Sequence, residues 1–95
     1  MAEVLLFAWD EVKSERNLRE RGFGFDYAAQ IFASEVLEED DRRRDYGEAR
    51  TVATGEFGGD IFVVVYTWRA NRRRIISARR ANRRERDAYR TAIAE

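Results

Sequence analysis

The sequence predicts an α+β fold: a small antiparallel sheet of three to four strands, with two helices ahead of it and one at the C-terminal end. Three observations carry this. Helix start and stop signals fall at Asp10 with Gly22 and at Asn82 with Glu85; a β-branched and aromatic run spans Ile61 to Trp68; and glycine or asparagine turns separate the alternating segments between them.

Taken in order, Leu5 to Trp9 is short and apolar, an edge strand or a packed arm. Asp10 suits an N-cap, because its carboxylate can accept the free amide hydrogens of the first turn, and Gly22 suits the left-handed position that closes a helix over about Glu11 to Arg21. Lys13, Asn17 and Arg21 then share one polar face. Asp26 is expected to cap a second, shorter helix through about Phe32. Glu35 to Glu39 forms a strand that runs into the charged stretch Asp40 to Asp45, read as a solvated turn.

Arg50 to Thr54 alternates as a strand, Gly58 and Gly59 supply a turn, and Ile61 to Trp68 is the central strand. Asn71 and Arg72 mark the next turn, and Arg74 to Arg79 reads as a further strand. The last helix has the clearest start, with Asn82 and Glu85 spaced as a capping box. Ala88, Tyr89, Ala92 and Ile93 form its apolar stripe, and Arg83, Arg84, Arg86 and Arg90 its other face.

The 95 residues make one domain, without repeat, linker, low-complexity segment or proline. Cysteine and histidine are both absent, which excludes disulfides, thiolate or imidazole metal sites and Ser-His-Asp or Cys-His catalysis; only carboxylates remain for a hard cation. The longest apolar run, Ile61 to Tyr66, is far short of the roughly 20 residues that span a bilayer, and no basic leader precedes an apolar stretch, so a cytoplasmic protein is expected.

A net charge of zero conceals an asymmetry. Residues 1–60 hold 15 acidic and 8 basic side chains, net −7, and residues 61–95 hold 3 acidic and 10 basic, net +7. Ten arginines fall between Arg69 and Arg90, Arg80 and Arg83 among them. Exposed on one side, they would form a phosphate-binding surface whose affinity falls with salt. Arginine's planar fork suits phosphate better than lysine's point charge. A solvated face paired with the acidic half, or a surface for an acidic protein, are the competing readings.

Metal-free RNA cleavage needs cations around the phosphorane and a group to take the 2′-hydroxyl proton. Without histidine that group is a carboxylate, a lysine, a tyrosine of lowered pKa or the substrate itself. Lys13 is the chain's only lysine. Glu48 and Arg50, two apart, share a face if the strand begins there, as catalytic partners or as an ordinary ion pair. Tyr66 and Trp68 share a face of the central strand, where they stack a base or fill the core.

The order of several pieces resembles the BrnT ribonuclease toxins of type II toxin-antitoxin systems. The pieces are FAWD at Phe7 to Asp10, Lys13 and Asn17 with Gly22 and Phe25, Ala28 and Phe32, GEAR at Gly47 to Arg50, VVVYT at Val63 to Thr67, and RIISARRA at Arg74 to Ala81 followed by Glu85 and Tyr89. The resemblance implies a RelE-like fold, RNA cleavage that arrests translation without a cofactor, and neutralisation by a BrnA-like antitoxin. That antitoxin carries a ribbon-helix-helix end, through which alone operator DNA is bound. On this reading Arg50, Arg74 and Arg79 hold the scissile phosphate, and Glu48 or Lys13 assists proton transfer. Arg21, Tyr66, Arg80, Arg83 and Tyr89 contact the RNA. Arg21 stands where the family commonly has a histidine, so activity is a separate expectation from membership. The alternative is a catalytically inactive module that binds RNA or the antitoxin.

Overall fold

The computed structural model describes residues 6–43, 45 and 47–94. Five strands form one sheet in the order β1-β5-β4-β3-β2. They are β1 (Phe7–Trp9), β2 (Val36–Asp40), β3 (Thr51–Phe57), β4 (Asp60–Arg69) and β5 (Arg72–Arg80). The last four run antiparallel to their neighbours, as the sequence predicts. The strand count and pure antiparallel pairing need correction, because β1 adds a fifth strand parallel to β5, with Phe7 opposite Arg73 and Trp9 opposite Ile75. Three residues carry too little alternation to announce a partner so distant in sequence. Leu5, read as part of that strand, lies outside the described residues.

The central strand β4 is covered on both faces, which is why its run is apolar throughout rather than alternating. Phe62, Val64 and Tyr66 face one way, into a core with Phe23, Phe25, Ile31, Ile75 and Ala78. Ile61 and Val63 face the other way, against Ala81 and Tyr89. Full burial of a Phe or Ile side chain stabilises by about 1.5–3 kcal/mol. Helix α1 (Glu11–Arg21) and helix α2 (Phe25–Ala28) belong to the first side, and α3 (Arg83–Ala94) covers the second.

Both predicted ends of α1 are present: Asp10 accepts the Val12 and Lys13 amide hydrogens, and Gly22 takes φ 88°. The helix docks through polar side chains. The Ser14 hydroxyl accepts from the Phe25 amide at 2.8 Å, and the Asn17 amide donates to the Phe23 carbonyl at 2.9 Å. These bonds hold the Gly22 to Phe25 connection over the core. Helix α2 is shorter than predicted and continues as a 3₁₀ turn, Ala29–Ala33. Its N-cap is Gly24, not Asp26, and no side chain caps it; a Cβ on Gly24 would stand 2.7 Å from an Asp26 carboxylate oxygen.

The turns are tighter than their composition alone indicates. Gly58 and Gly59 join β3 to β4 with φ 63° and 88°, and Ala70 and Asn71 join β4 to β5 with φ 53° and 62°, so this second turn sits one residue earlier than predicted. The two-residue left-handed turn matches the twist of a hairpin. At α3 the capping box is present: Asn82 Oδ1 accepts from the Glu85 amide at 2.9 Å, and Glu85 Oε1 accepts from the Asn82 amide at 2.8 Å. The acidic stretch is less solvated than expected. Asp41 is buried, accepts two bonds from Arg43 at 2.8 and 2.9 Å, and donates its amide to the Arg50 carbonyl at 2.8 Å. Arg44 lies outside the described residues.

Candidate functional site

In a regular strand Arg74 and Arg79, five positions apart, would point to opposite faces. Strand β5 does not stay regular. Its pairing with β4 runs Tyr66 to Ile75 and Val65 to Ser77, which leaves Ile76 as an extra residue in a β-bulge. The bulge resets the alternation, so Arg74, Ser77 and Arg79 all lie on the face that carries α3, opposite Thr67, Val65 and Val63 respectively. Arg74 and Arg79 are therefore separated by four residues of β4, roughly 13 Å at the rise of a strand.

Strand β3 brings the third arginine alongside. Thr51 pairs with Tyr66, and one step further Arg50 comes beside Thr67, whose hydroxyl donates to the Ala49 carbonyl at 2.7 Å. Thr67 is buried, so Arg50, Thr67 and Arg74 make one row across three strands. Glu48 completes the row's edge, accepting from Arg50 Nε at 3.4 Å and from Arg69 at 3.3 Å. Arg74 has no side-chain hydrogen bond or ion pair among the described residues.

Arg79 is anchored. Its two terminal nitrogens each reach a Glu85 oxygen at 2.7 Å, leaving its Nε hydrogen without a partner among the described residues. This guanidinium holds the Glu85 carboxyl down to about 2, against burial, with the Asn82 amide helping. Arg79 itself is held more firmly charged, chiefly by Glu85, while the nearby Arg43 charge opposes it. Arg43 thus borders the same surface.

The ten C-terminal arginines do not form one basic side. Arg73 and Arg80 fall on the opposite face of β5, opposite Trp68 and Phe62. Arg80 lies over the Phe23 ring at 5.0 Å, donates to the Arg21 carbonyl at 2.7 Å and stands 3.8 Å from Asp60. Arg21 in turn donates to the Ala78 carbonyl at 2.8 Å, on the side of β5 that β1 is too short to cover. Both residues, assigned to RNA from the sequence, spend bonds on fastening α1 to β5. Lys13 begins the same helix stripe two turns earlier and is exposed. Arg83 is exposed at the start of α3.

Both tyrosines assigned to RNA contact are interior. Tyr66 packs on the core face opposite Arg74 and Arg79, where its hydroxyl donates to Glu38. Tyr89 lies on the buried face of α3 and donates to the Glu35 carbonyl at 2.8 Å. Burial first, then carboxylate neighbours, raises both phenols above their ordinary value, with Arg73 partly offsetting this at Tyr66 and the Glu56 backbone at Tyr89. Neither is a proton acceptor of lowered pKa. Among the assigned residues, the structure brings together Glu48, Arg50, Arg74 and Arg79, and adds Arg43, Thr67 and Arg69. Of these additions, Arg69 opens the arginine run read from the sequence as a phosphate-binding surface, Thr67 is marked as a polar residue inside the apolar run, and Arg43 has no signal beyond its charged stretch.

Residues 9–85 match the family model described as ribonuclease toxin, BrnT, of type II toxin-antitoxin system. The matched span runs from the end of β1 to the first turn of α3 and contains every residue of the cluster. No curated protein matches the chain.

Proposed function

The chain belongs to the BrnT family, ribonuclease toxins of type II toxin-antitoxin systems, and from that premise we propose that it is a metal-independent endoribonuclease that cuts RNA, arrests translation and is silenced by a BrnA-like ribbon-helix-helix antitoxin. The observation that supports this most is the bulge at Ile76, which sets Arg74 and Arg79 on one face with Arg50 and Glu48. A scissile phosphate lying over Thr67 meets Arg74 on one side and Arg50 on the other. Arg79 offers its Nε hydrogen further along the strand.

The 2′-hydroxyl attacks the adjacent phosphorus and the 5′-oxygen leaves, taking a proton from water, to give a 2′,3′-cyclic phosphate and a 5′-hydroxyl end. Glu48 takes the attacking proton, while the guanidinium groups neutralise the charge that grows on the phosphoryl oxygens; Lys13, the other acceptor read from the sequence, sits on α1 across the sheet from this row. The cationic face is also the place for an acidic antitoxin segment, which would exclude substrate; complementary charge speeds that encounter. Operator DNA is reached only through the antitoxin, and the proposed setting is the cytoplasm. No described helix is long and apolar enough to cross a membrane.

Induced expression in a bacterium tests the reading. Growth arrest with loss of RNA, relieved by Arg74→Ala in a protein that still folds, is expected. A folded, well-expressed chain that neither arrests growth nor cuts purified RNA would overturn it. The engagement of Arg21 with the Ala78 carbonyl, at the position where the resemblance implies a histidine, favours a second reading: a non-catalytic module that holds RNA or antitoxin. End-labelled RNA that is bound at low salt but never cut would establish that reading instead.

A further inference from the structure

Trp68 lies at the tip of the β4–β5 hairpin, next to the candidate site yet on the other face of the sheet, and 57% of its surface is exposed. Exposed though it is, the ring is held. It meets the Tyr66 ring edge-to-face at 5.8 Å and 86°, and the Arg73 guanidinium stands 4.8 Å from its centroid. Arg73 is itself wedged beside Phe32 at 4.4 Å, and its buried Nε has no hydrogen-bond partner. The guanidinium is committed to the rings it covers, so it braces Trp68 more than it presents charge to solvent.

The surroundings identify what the indole would hold. Arg73 stands beneath the indole, while its hairpin neighbours Arg69, Arg72 and Arg74 alternate to the other face of the sheet, on the side of the candidate site; the neighbouring carboxylates are already engaged, Glu48 with Arg50 and Arg69, and Glu38 with Tyr66. A preset aromatic plane at the margin of a row of arginines suits a nucleobase whose phosphates lie on that row, and an unpaired base alone exposes its face for stacking. The left-handed turn at Ala70 and Asn71 joins the two strands directly, so Trp68 and Arg74 stand on either side of the same hairpin end.

The geometry points to Trp68 as a stacking platform for an unpaired base next to the cleaved bond, which makes single-stranded RNA the substrate class. The inference rests on the ribonuclease reading for the nature of the ligand, but its test needs no cleavage. The probe is a short single strand with 2′-O-methyl sugars, which lack the attacking hydroxyl. The chain has two tryptophans, so Trp9→Phe leaves Trp68 as the only indole fluorophore.

Adding the single strand to the Trp9→Phe protein should quench its emission, and the duplex of the same sequence should do so far less. Trp68→Ala should weaken single-strand binding by about fivefold or more, while Trp68→Phe keeps most of it. Circular dichroism on each variant separates lost binding from lost fold. Equal binding by folded Trp68→Ala, quenching by duplex and single strand alike, or a Trp68→Ala loss confined to capture of a protein partner would each overturn the inference. A chain that binds through Trp68 but cuts nothing would remove the ribonuclease reading and leave this one standing.

Discussion

Arg79 delivers both terminal nitrogens to the carboxylate of Glu85, each at 2.7 Å, and so ties the face of β5 to the first turn of α3. The same carboxylate closes the capping box on Asn82. Glu85→Gln keeps a side chain able to cap and removes the charge. Because Arg79 is 45% exposed, solvent screens much of the pair, and the expected loss is about 1 kcal/mol in urea unfolding at neutral pH. The folded pKa of about 2 lies below the ordinary 4.5. The contribution is therefore present above about pH 4.5 and disappears as pH falls toward 2. The gap between wild type and variant should close across that window; a gap constant from pH 7 to pH 2 would show that the charge pair is not its source.

Thr67→Val replaces a buried hydroxyl by a methyl group of similar size and leaves the Ala49 carbonyl without its donor. A cost of about 1–2 kcal/mol follows. More tellingly, Glu48 and Arg50 lose the tether between them, so cleavage per folded molecule should fall as well. Thr67→Ser, which keeps the donor, should restore rate before stability. Full activity in the valine variant would show that the row across β3, β4 and β5 is set by other contacts.

Tyr89→Phe removes one hydrogen bond, to the Glu35 carbonyl, from a side chain on the buried face of α3. Unfolding free energy should fall by about 1 kcal/mol, while RNA binding measured on the folded fraction stays unchanged. A selective loss of binding would return Tyr89 to the RNA-contact role that its interior position speaks against.

Ala70 adopts φ 53°, a region that costs a residue with a Cβ roughly 1–2 kcal/mol. Ala70→Gly relieves this but frees the unfolded chain, so a net stabilisation of about 0.5–1 kcal/mol is expected from thermal or urea unfolding. A destabilised variant would indicate that the alanine methyl contributes packing which its exposed position does not suggest.

The parts legible in the sequence were those whose physics is local. Asp10 and Gly22 bound α1 because caps act within one turn, and Asn82 with Glu85 did the same for α3. β4 was recognisable because burial on both faces demands an unbroken apolar run. An edge strand was one reading of the segment that holds β1, but its parallel pairing was not assignable, since three residues gain their order from a β5 far along the chain. The grouping of Arg74 with Arg79 was hidden too, because parity alone separates them; two adjacent isoleucines at 75 and 76, breaking the alternation, were the only trace of the bulge. Tyr66 and Arg80 looked available because composition cannot tell an arginine over a core ring from one facing solvent. Arg43 sits in a charged stretch with no periodicity to orient it.

The bond from Arg21 to the Ala78 carbonyl has a consequence for how copies of the chain meet. A sheet rim with bare carbonyls is a template on which an identical strand can dock, and such docking propagates into fibres. On the stretch of β5 beyond the end of β1 that docking point is occupied by the guanidinium of Arg21, whose backbone carbonyl is in turn held by Arg80. On the other rim β2 presents Glu38, Glu39 and Asp40, and two such rims repel each other. The stretch of β5 beyond β1 and the rim of β2 are thus each guarded against the strand of a second copy.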